Sequence, residues 1–184
     1  MIYIESRRKK ITSLQKKYPG ACICDVTSSG NNSLVLFSPF YPHGNIPIPF
    51  SSGSFSYSVE GVWQGLKVFE KEDVCLSSFS NSSMKNIKRF IGKRGELIGH
   101  RKGIEGTEIL SYLEARKQIY LPTYKWVLEN IEPVKDLVNR MRLYNEKHDI
   151  VLLDYNTNSD VNNLSSPLSH ASLIKLYIEG KYPY

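Results

Sequence analysis

Ser56-Tyr57-Ser58-Val59-Glu60-Gly61-Val62-Trp63-Gln64-Gly65-Leu66-Lys67-Val68-Phe69 is the stretch on which the reading of the fold turns. Val59, Val62, Trp63, Leu66 and Phe69 recur at helical spacing, and Ser56 or Ser58 supplies an N-cap, so the sequence predicts an amphipathic helix. Beside the apolar stripe, Glu60, Gln64, Lys67 and Lys71 fall at i, i+4, i+7 and i+11. An acid, an amide and two ammonium groups in one row suit a polar ligand. Gly61 and Gly65 each weaken a helix by about 1 kcal/mol relative to Ala. Two of them, four apart, predict that another segment or a ligand comes close.

Upstream lies Ser38-Pro39-Phe40-Tyr41-Pro42-His43-Gly44-Asn45-Ile46-Pro47-Ile48-Pro49-Phe50, whose prolines exclude helix and most ladder pairing. Its aromatic residues are too many for a solvated linker, so it is expected to pack over the helix and wall a pocket with Tyr41 and Tyr57. His43 has the chemistry of an acid, a base or a phosphate contact. Downstream, Ser82 or Ser83 caps an expected helix through Phe90 that buries Met84, Ile87 and Ile91. Lys85, Lys88, Arg89, Lys93, Arg94, Arg101 and Lys102 then oppose only Glu96, with Gly92, Gly95, Gly99 and Gly103 among them. Glycine-rich basic loops let backbone amides and guanidinium groups approach phosphate. No Walker or dinucleotide fingerprint is present.

Toward the N-terminus, Ile2 to Ile4 reads as a strand and Glu5 to Lys17 as a basic helix ending at Pro19-Gly20. Ala21 to Val26 and Ser33 to Phe37 read as strands around a polar turn, Thr27 to Asn32. Toward the C-terminus, helices are expected over Thr107 to Tyr120, Thr123 to Asn130, the stretch after Pro133, and Pro167 to Glu179, with Pro122 as a break. The continuous apolar Ile150-Val151-Leu152-Leu153 reads as a buried strand that leaves Asp154 at its end, with Asp160 in the polar residues beyond. These elements make a mainly helical α+β single domain over residues 1–184 with a few short strands.

The 184 residues carry 24 basic against 18 acidic side chains, a net charge of +6 that fits a phosphate-bearing ligand, nucleic acid or plain solubility. Cys22, Cys24 and Cys75 are odd in number and lack zinc-site spacing with any histidine, so reduced buried thiols and no metal are expected. With no signal peptide and no apolar run near 18 residues, the expected location is the cytoplasm. Glu60, Asp154 and Asp160 are the carboxylates placed to serve glycosidic bond cleavage, in which one acid stabilises or traps an oxocarbenium-like centre or activates water while another protonates the leaving group. No Ser-His-Asp order or nucleophile elbow supports acyl transfer.

The Pro-rich segment leading into Ser58-Val59-Glu60-x-x-x-Gln64-x-x-Lys67 resembles the first motif of the NADAR (NAD- and ADP-ribose-associated) superfamily. The later basic loop, the Trp126 helix and the strand ending at Asp154 resemble that family's later landmarks in order. A closer likeness is to a bacterial and phage branch sharing Ser38-Pro39-Phe40-Tyr41-Pro42-His43-Gly44, Val59-Glu60-Gly61-Val62-Trp63-Gln64-Gly65-Leu66-Lys67, Gly99-His100-Arg101-Lys102-Gly103 and Pro167-Leu168-Ser169-His170-Ala171. Gly61 stands where histidine is usual, and Val161-Asn162-Asn163 follows Asp160 where Trp-Gly is usual. The resemblance implies an N-glycoside hydrolase without cofactor that acts on a nucleotide or ADP-ribose conjugate, free or carried on nucleic acid. Glu60 would be its catalytic carboxylate and Asp154 or Asp160 its second acid. Gln64, Lys67, His100 and Arg101 would hold the substrate, and Tyr41, Tyr57 or Trp126 would stack a base. The alternatives are a non-catalytic protein that sequesters such a nucleotide and a nucleic-acid-binding protein using the basic helix and loop.

Overall fold

The computed structural model describes residues 1–30 and 33–183 and has an α+β architecture of short strands and helices. Its packing groups the chain into two compact units: residues 1–38 with 128–183, and residues 39–127. Among the described residues no helix is long and apolar enough to cross a membrane.

The first unit is built on a three-stranded parallel sheet, with β8 (Ile150–Asp154) between β1 (Ile2–Ser6) and β2 (Cys22–Asp25). Every residue of β8 is buried. That is the physical reason for its unbroken apolar run, since a central parallel strand has both faces covered. Val151 and Leu153 pack with Leu14 of α1 (Ile11–Lys17), joined by Tyr3, Tyr18, Ala21 and Ile23. α7 (His170–Ile178) packs against β1, β8 and α6 (Glu132–Asn145), and Pro133 sits in the first turn of α6 as its fixed φ favours. The run Ser33–Phe37, read as a strand, is a 3-10 helix instead. Five apolar-rich residues are too few for periodicity to separate the two states. The turn expected at Thr27 to Asn32 includes positions 31 and 32, outside the described residues. Of the cysteines, Cys24 is buried, Cys75 half-buried and Cys22 exposed, so the expectation of three buried thiols fails at Cys22. All three are free.

The second unit holds the quoted stretch. Ser58 caps α2 (Val59–Gly65) by accepting from the Gly61 amide at 2.9 Å. The helix stops at Gly65 rather than continuing to Phe69, because Lys67–Phe69 forms β5 and pairs antiparallel with β6 (Leu97–Arg101). Lys71 therefore leaves the polar row. β7 (Ile109–Leu110) completes this three-stranded sheet, and β3 (Ile46–Pro47) pairs with β4 (Phe55–Ser56) in a separate hairpin. The close approach foreseen at the glycines is made by α3 (Leu76–Phe79). A Cβ on Gly61 would meet the Ser78 carbonyl at 2.8 Å, and one on Gly65 would meet the Phe79 ring at 2.2 Å.

The helix expected from Ser82 or Ser83 to Phe90 does not form. Met84 and Asn86 have positive φ, and the Asn81 side chain binds the Ser83 amide and hydroxyl and the Lys85 carbonyl, a local alternative to helical bonding. Ile87 is buried as expected, whereas Ile91 is exposed. Helix α4 (Tyr112–Ala115) begins five residues later than the expected Thr107, behind a capping box of Ser111 and Glu114. A π-helical segment, Arg116–Tyr120, joins it to α5 (Leu121–Asn130). Pro122, read as a break, is carried inside this continuous stretch. The wider turn ahead of it accommodates a ring that lacks an N–H and crowds the preceding carbonyls.

Candidate functional site

Glu60 lies in the first turn of α2 and is buried. Its backbone amide donates to the Pro39 carbonyl at 2.8 Å, so the start of the Pro-rich segment is fastened to the helix. One carboxylate oxygen, Oε1, accepts from Gln64 Nε2 at 2.7 Å. The orientation of that amide is fixed from its other end: Gln64 Oε1 accepts from the Arg89 backbone N–H at 2.9 Å, which leaves Nε2 as the donor toward Glu60. Arg89 is buried as well. Its guanidinium donates to the carbonyls of Gln64 (2.9 Å), Lys67 (2.8 Å) and Asp73 (2.8 Å), stands 3.1 Å from Glu72 and covers the Phe69 ring. In the sequence Arg89 is only one charge in a basic run. A burial signal for it exists in the sequence only as its i−2 neighbour, the buried Ile87.

Lys67 and His100 are register partners on β5 and β6, which places their side chains on one face of the sheet. Burial lowers the Lys67 pKa; Glu60 acts against this, and Arg89 and Lys88 reinforce it. His100 is fully buried, and among the described residues neither ring nitrogen has a hydrogen-bond partner. Burial, with the positive charges of Lys67 and Arg89, pushes its pKa down to about 3, so the ring is neutral at physiological pH. It lies against Trp63, ring centroids 3.9 Å apart. Tyr112 and Tyr120 meet Trp63 edge-on at 5.5 and 5.6 Å, and Arg116 stands 5.0 Å over Tyr112. Tyr112, Arg116 and Tyr120 recur every four residues, and the two tyrosines reach Trp63.

The other expected ligand residues are distributed differently. Arg101 is drawn to Asp73, and its amide donates to the Leu66 carbonyl at 2.7 Å. Tyr41 lies beside His43 at 4.8 Å, Tyr57 is exposed, and Trp126 is half-buried on α5. The basic loop is largely compensated: Arg89 and Arg94 share Glu72, Arg101 pairs with Asp73 and Lys102 with Glu108.

Asp154 belongs to the first unit, where it is buried. It accepts from Tyr155 N (2.7 Å), Ser169 Oγ (2.8 Å) and Ala171 N (3.3 Å), and stands 2.9 Å from His170 Nδ1. The second ring nitrogen of His170 lies 2.9 Å from the Val26 carbonyl. Both partners accept, so both ring nitrogens donate and the ring is an imidazolium. Burial opposes this charge, but Asp154 outweighs it and the His170 pKa is raised. Asp154 therefore ties the end of β8 to the start of α7. Asp160, also in the first unit, is exposed and accepts from the Asn162 amide at 2.9 Å in a turn. Among the described residues no three His, Cys, Asp or Glu side chains are grouped to hold a metal ion.

Residues 6–174 match a family described as a family of unknown function, DUF6939. The chain belongs to the DUF6939 family. No curated protein and no solved structure matches it. The matched span includes every element of the second unit and, in the first, extends into α7.

Proposed function

We propose that this DUF6939 chain is an N-glycoside hydrolase that acts on an ADP-ribosylated or otherwise ribosylated base, with Glu60 as its carboxylate. The observation that carries the reading is the buried Glu60–Gln64–Arg89 relay, with Lys67 within electrostatic reach. A carboxylate fixed by a fixed amide is preorganised, as proton transfer requires. The NADAR-like sequence around Glu60 to Lys67 supports the same assignment. In the reaction the C1′–N bond breaks with its electron pair passing to the base nitrogen. Water attacks C1′, Glu60 takes one water proton, and that proton is delivered to the departing base. Gln64 holds the carboxylate in place, and the Lys67 ammonium draws the substrate's phosphates.

The reading is tested by incubating the protein with a panel of ADP-ribosylated bases, NAD and ribosylated pyrimidines and measuring released base by mass spectrometry. Wild type is expected to release a base. Glu60→Gln, which keeps an acceptor for Gln64, is expected to slow release by about 10²- to 10⁴-fold, the usual worth of a general acid or base. Undiminished release by the variant overturns the role of Glu60. Saturable binding by calorimetry with no released base from any substrate overturns hydrolysis in favour of sequestration.

A further inference from the structure

The three parallel strands of the first unit end together. Ser6 of β1 stands opposite Asp154 of β8, and Asp25 of β2 opposite Leu153. Parallel sheets take their ligands beyond the carboxyl ends of their strands, where the loops converge. Here the residues that follow each strand are bonded to one another. After β1, the Arg7 amide donates to the Asp154 carbonyl at 2.9 Å, and Arg7 Nε donates to Asp25 Oδ2 at 2.8 Å. After β8, the Tyr155 hydroxyl shares a hydrogen bond of 3.0 Å with Ser29 Oγ from the turn beyond β2, and the Tyr155 carbonyl accepts from Arg8 Nη1 at 3.3 Å.

Two guanidinium groups thus face one ring. The Cζ atoms of Arg7 and Arg8 lie 5.7 and 5.8 Å from the Tyr155 centroid. Among the described residues Asp25 is the one carboxylate bonded to either, and its Oδ1 is taken by Thr27. Asp154, at the end of β8, is matched by the His170 imidazolium. Among Arg7, Arg8, His170, Asp25 and Asp154, positive charge is in excess. Arg7 Nη1 and Nη2 and Arg8 Nε and Nη2 have no hydrogen-bond partner among the described residues. Guanidinium forks are the side chains suited to bidentate phosphate recognition.

We propose that this carboxyl edge binds the terminal phosphate of a small phosphorylated molecule, held by Arg7 and Arg8 and positioned by Tyr155. The ligand class is a phosphate monoester of nucleotide size or smaller. It meets the two forks with a doubly charged group, whereas each phosphodiester of a nucleic acid offers a single charge. The experiment is an NMR titration of the ¹⁵N-labelled protein at low salt with inorganic phosphate, a 5′-mononucleotide and a single-stranded oligonucleotide lacking terminal phosphates. Inorganic phosphate and the mononucleotide are expected to give saturable shifts at the amides of Arg7, Arg8 and Tyr155. Arg8→Gln, at an exposed position, is expected to keep the dispersed spectrum and weaken both ligands at least tenfold. Three results overturn the proposal: no saturable shift at these amides, equal affinity in wild type and Arg8→Gln, or shifts from the oligonucleotide alone, which would make the edge a nucleic-acid contact.

Discussion

His100 and His170 are both buried, and their surroundings drive them to opposite protonation states. His170 has two acceptors and is charged; His100 has no hydrogen-bond partner among the described residues, two cationic neighbours and a Trp63 face, and is neutral. Their contributions to stability run oppositely with pH. With its pKa held at about 3 against an ordinary 6.5, His100 leaves stability intact above pH 6.5 and removes it as pH falls toward 3. The raised pKa of His170 gives stability that is fully present below 6.5 and lost as pH rises through the folded value. His100→Phe is expected to flatten the acid-side fall in melting temperature between pH 6.5 and 3. At neutral pH it should change stability by about 1 kcal/mol or less, because an unsatisfied buried donor and acceptor are replaced by apolar surface. An unaltered pH profile in thermal melts would remove His100 from that account. His170→Gln is expected to lose its disadvantage relative to wild type as pH rises, which the same melts report.

At the scale of elements, α2 depends on how closely α3 lies against it. Gly65→Ala adds a methyl group where the Phe79 ring already stands, 2.2 Å from the new carbon. Overpacking of this kind costs about 1–3 kcal/mol. At about 2–4 °C per kcal/mol for a chain of this size, the melting temperature should fall by several degrees. Alanine's better helix propensity offsets only about 1 kcal/mol, and a variant as stable as wild type would contradict the packing. The glycine pair was legible in the sequence because two costly residues on one helix face need a reason. So were β8, from its unbroken apolar run, α6, from Pro133, and a serine cap at position 56 or 58, which the structure places at Ser58. The end of α2 was not: Val68 and Phe69 fit either a helical stripe or a strand, and pairing with a segment thirty residues away decides between them. The residues around Met84 have helical spacing, but serine and asparagine side chains bind the backbone locally and divert it. Within the candidate site, Glu60 and Gln64 were legible as an i, i+4 pair. Arg89 was hidden because a buried arginine, held by carbonyls of distant residues, carries no mark that separates it from the exposed lysines around it.

Across the whole molecule, acid sensitivity gathers contributions from both units. Glu5, buried in the first, would be pushed up by burial alone, but hydrogen bonds from Lys17, Lys9 and Tyr18 more than compensate and hold its pKa down to about 2. A depressed carboxylate gives stability that is present above its ordinary pKa of 4.5 and is lost as pH falls toward 2. Together with His100, it predicts a fall in stability that starts below pH 6.5 and steepens below 4.5. Glu5→Gln is expected to remove the steeper part alone, measured as the denaturation midpoint at pH 6 and at pH 3. Charge and apolar runs are open to view along the chain, but which distant acid and base meet is not. Asp154 was legible as the end of a buried strand. Its engagement with His170 was not, since that contact exists only once β8 and α7 have packed.

The central position of β8 also bears on how the chain is born. Both β1 and β2 pair with β8 and not with each other, so the first thirty residues have no sheet to join while a ribosome is still adding residue 149. The unit spanning residues 39–127 is contiguous and is complete in the nascent chain well before then. Synthesis therefore imposes an order, with non-local parallel pairing coming last and slowest. A nascent chain arrested short of residue 150 is expected to be cut readily by protease within residues 1–38 and to be protected within 39–127.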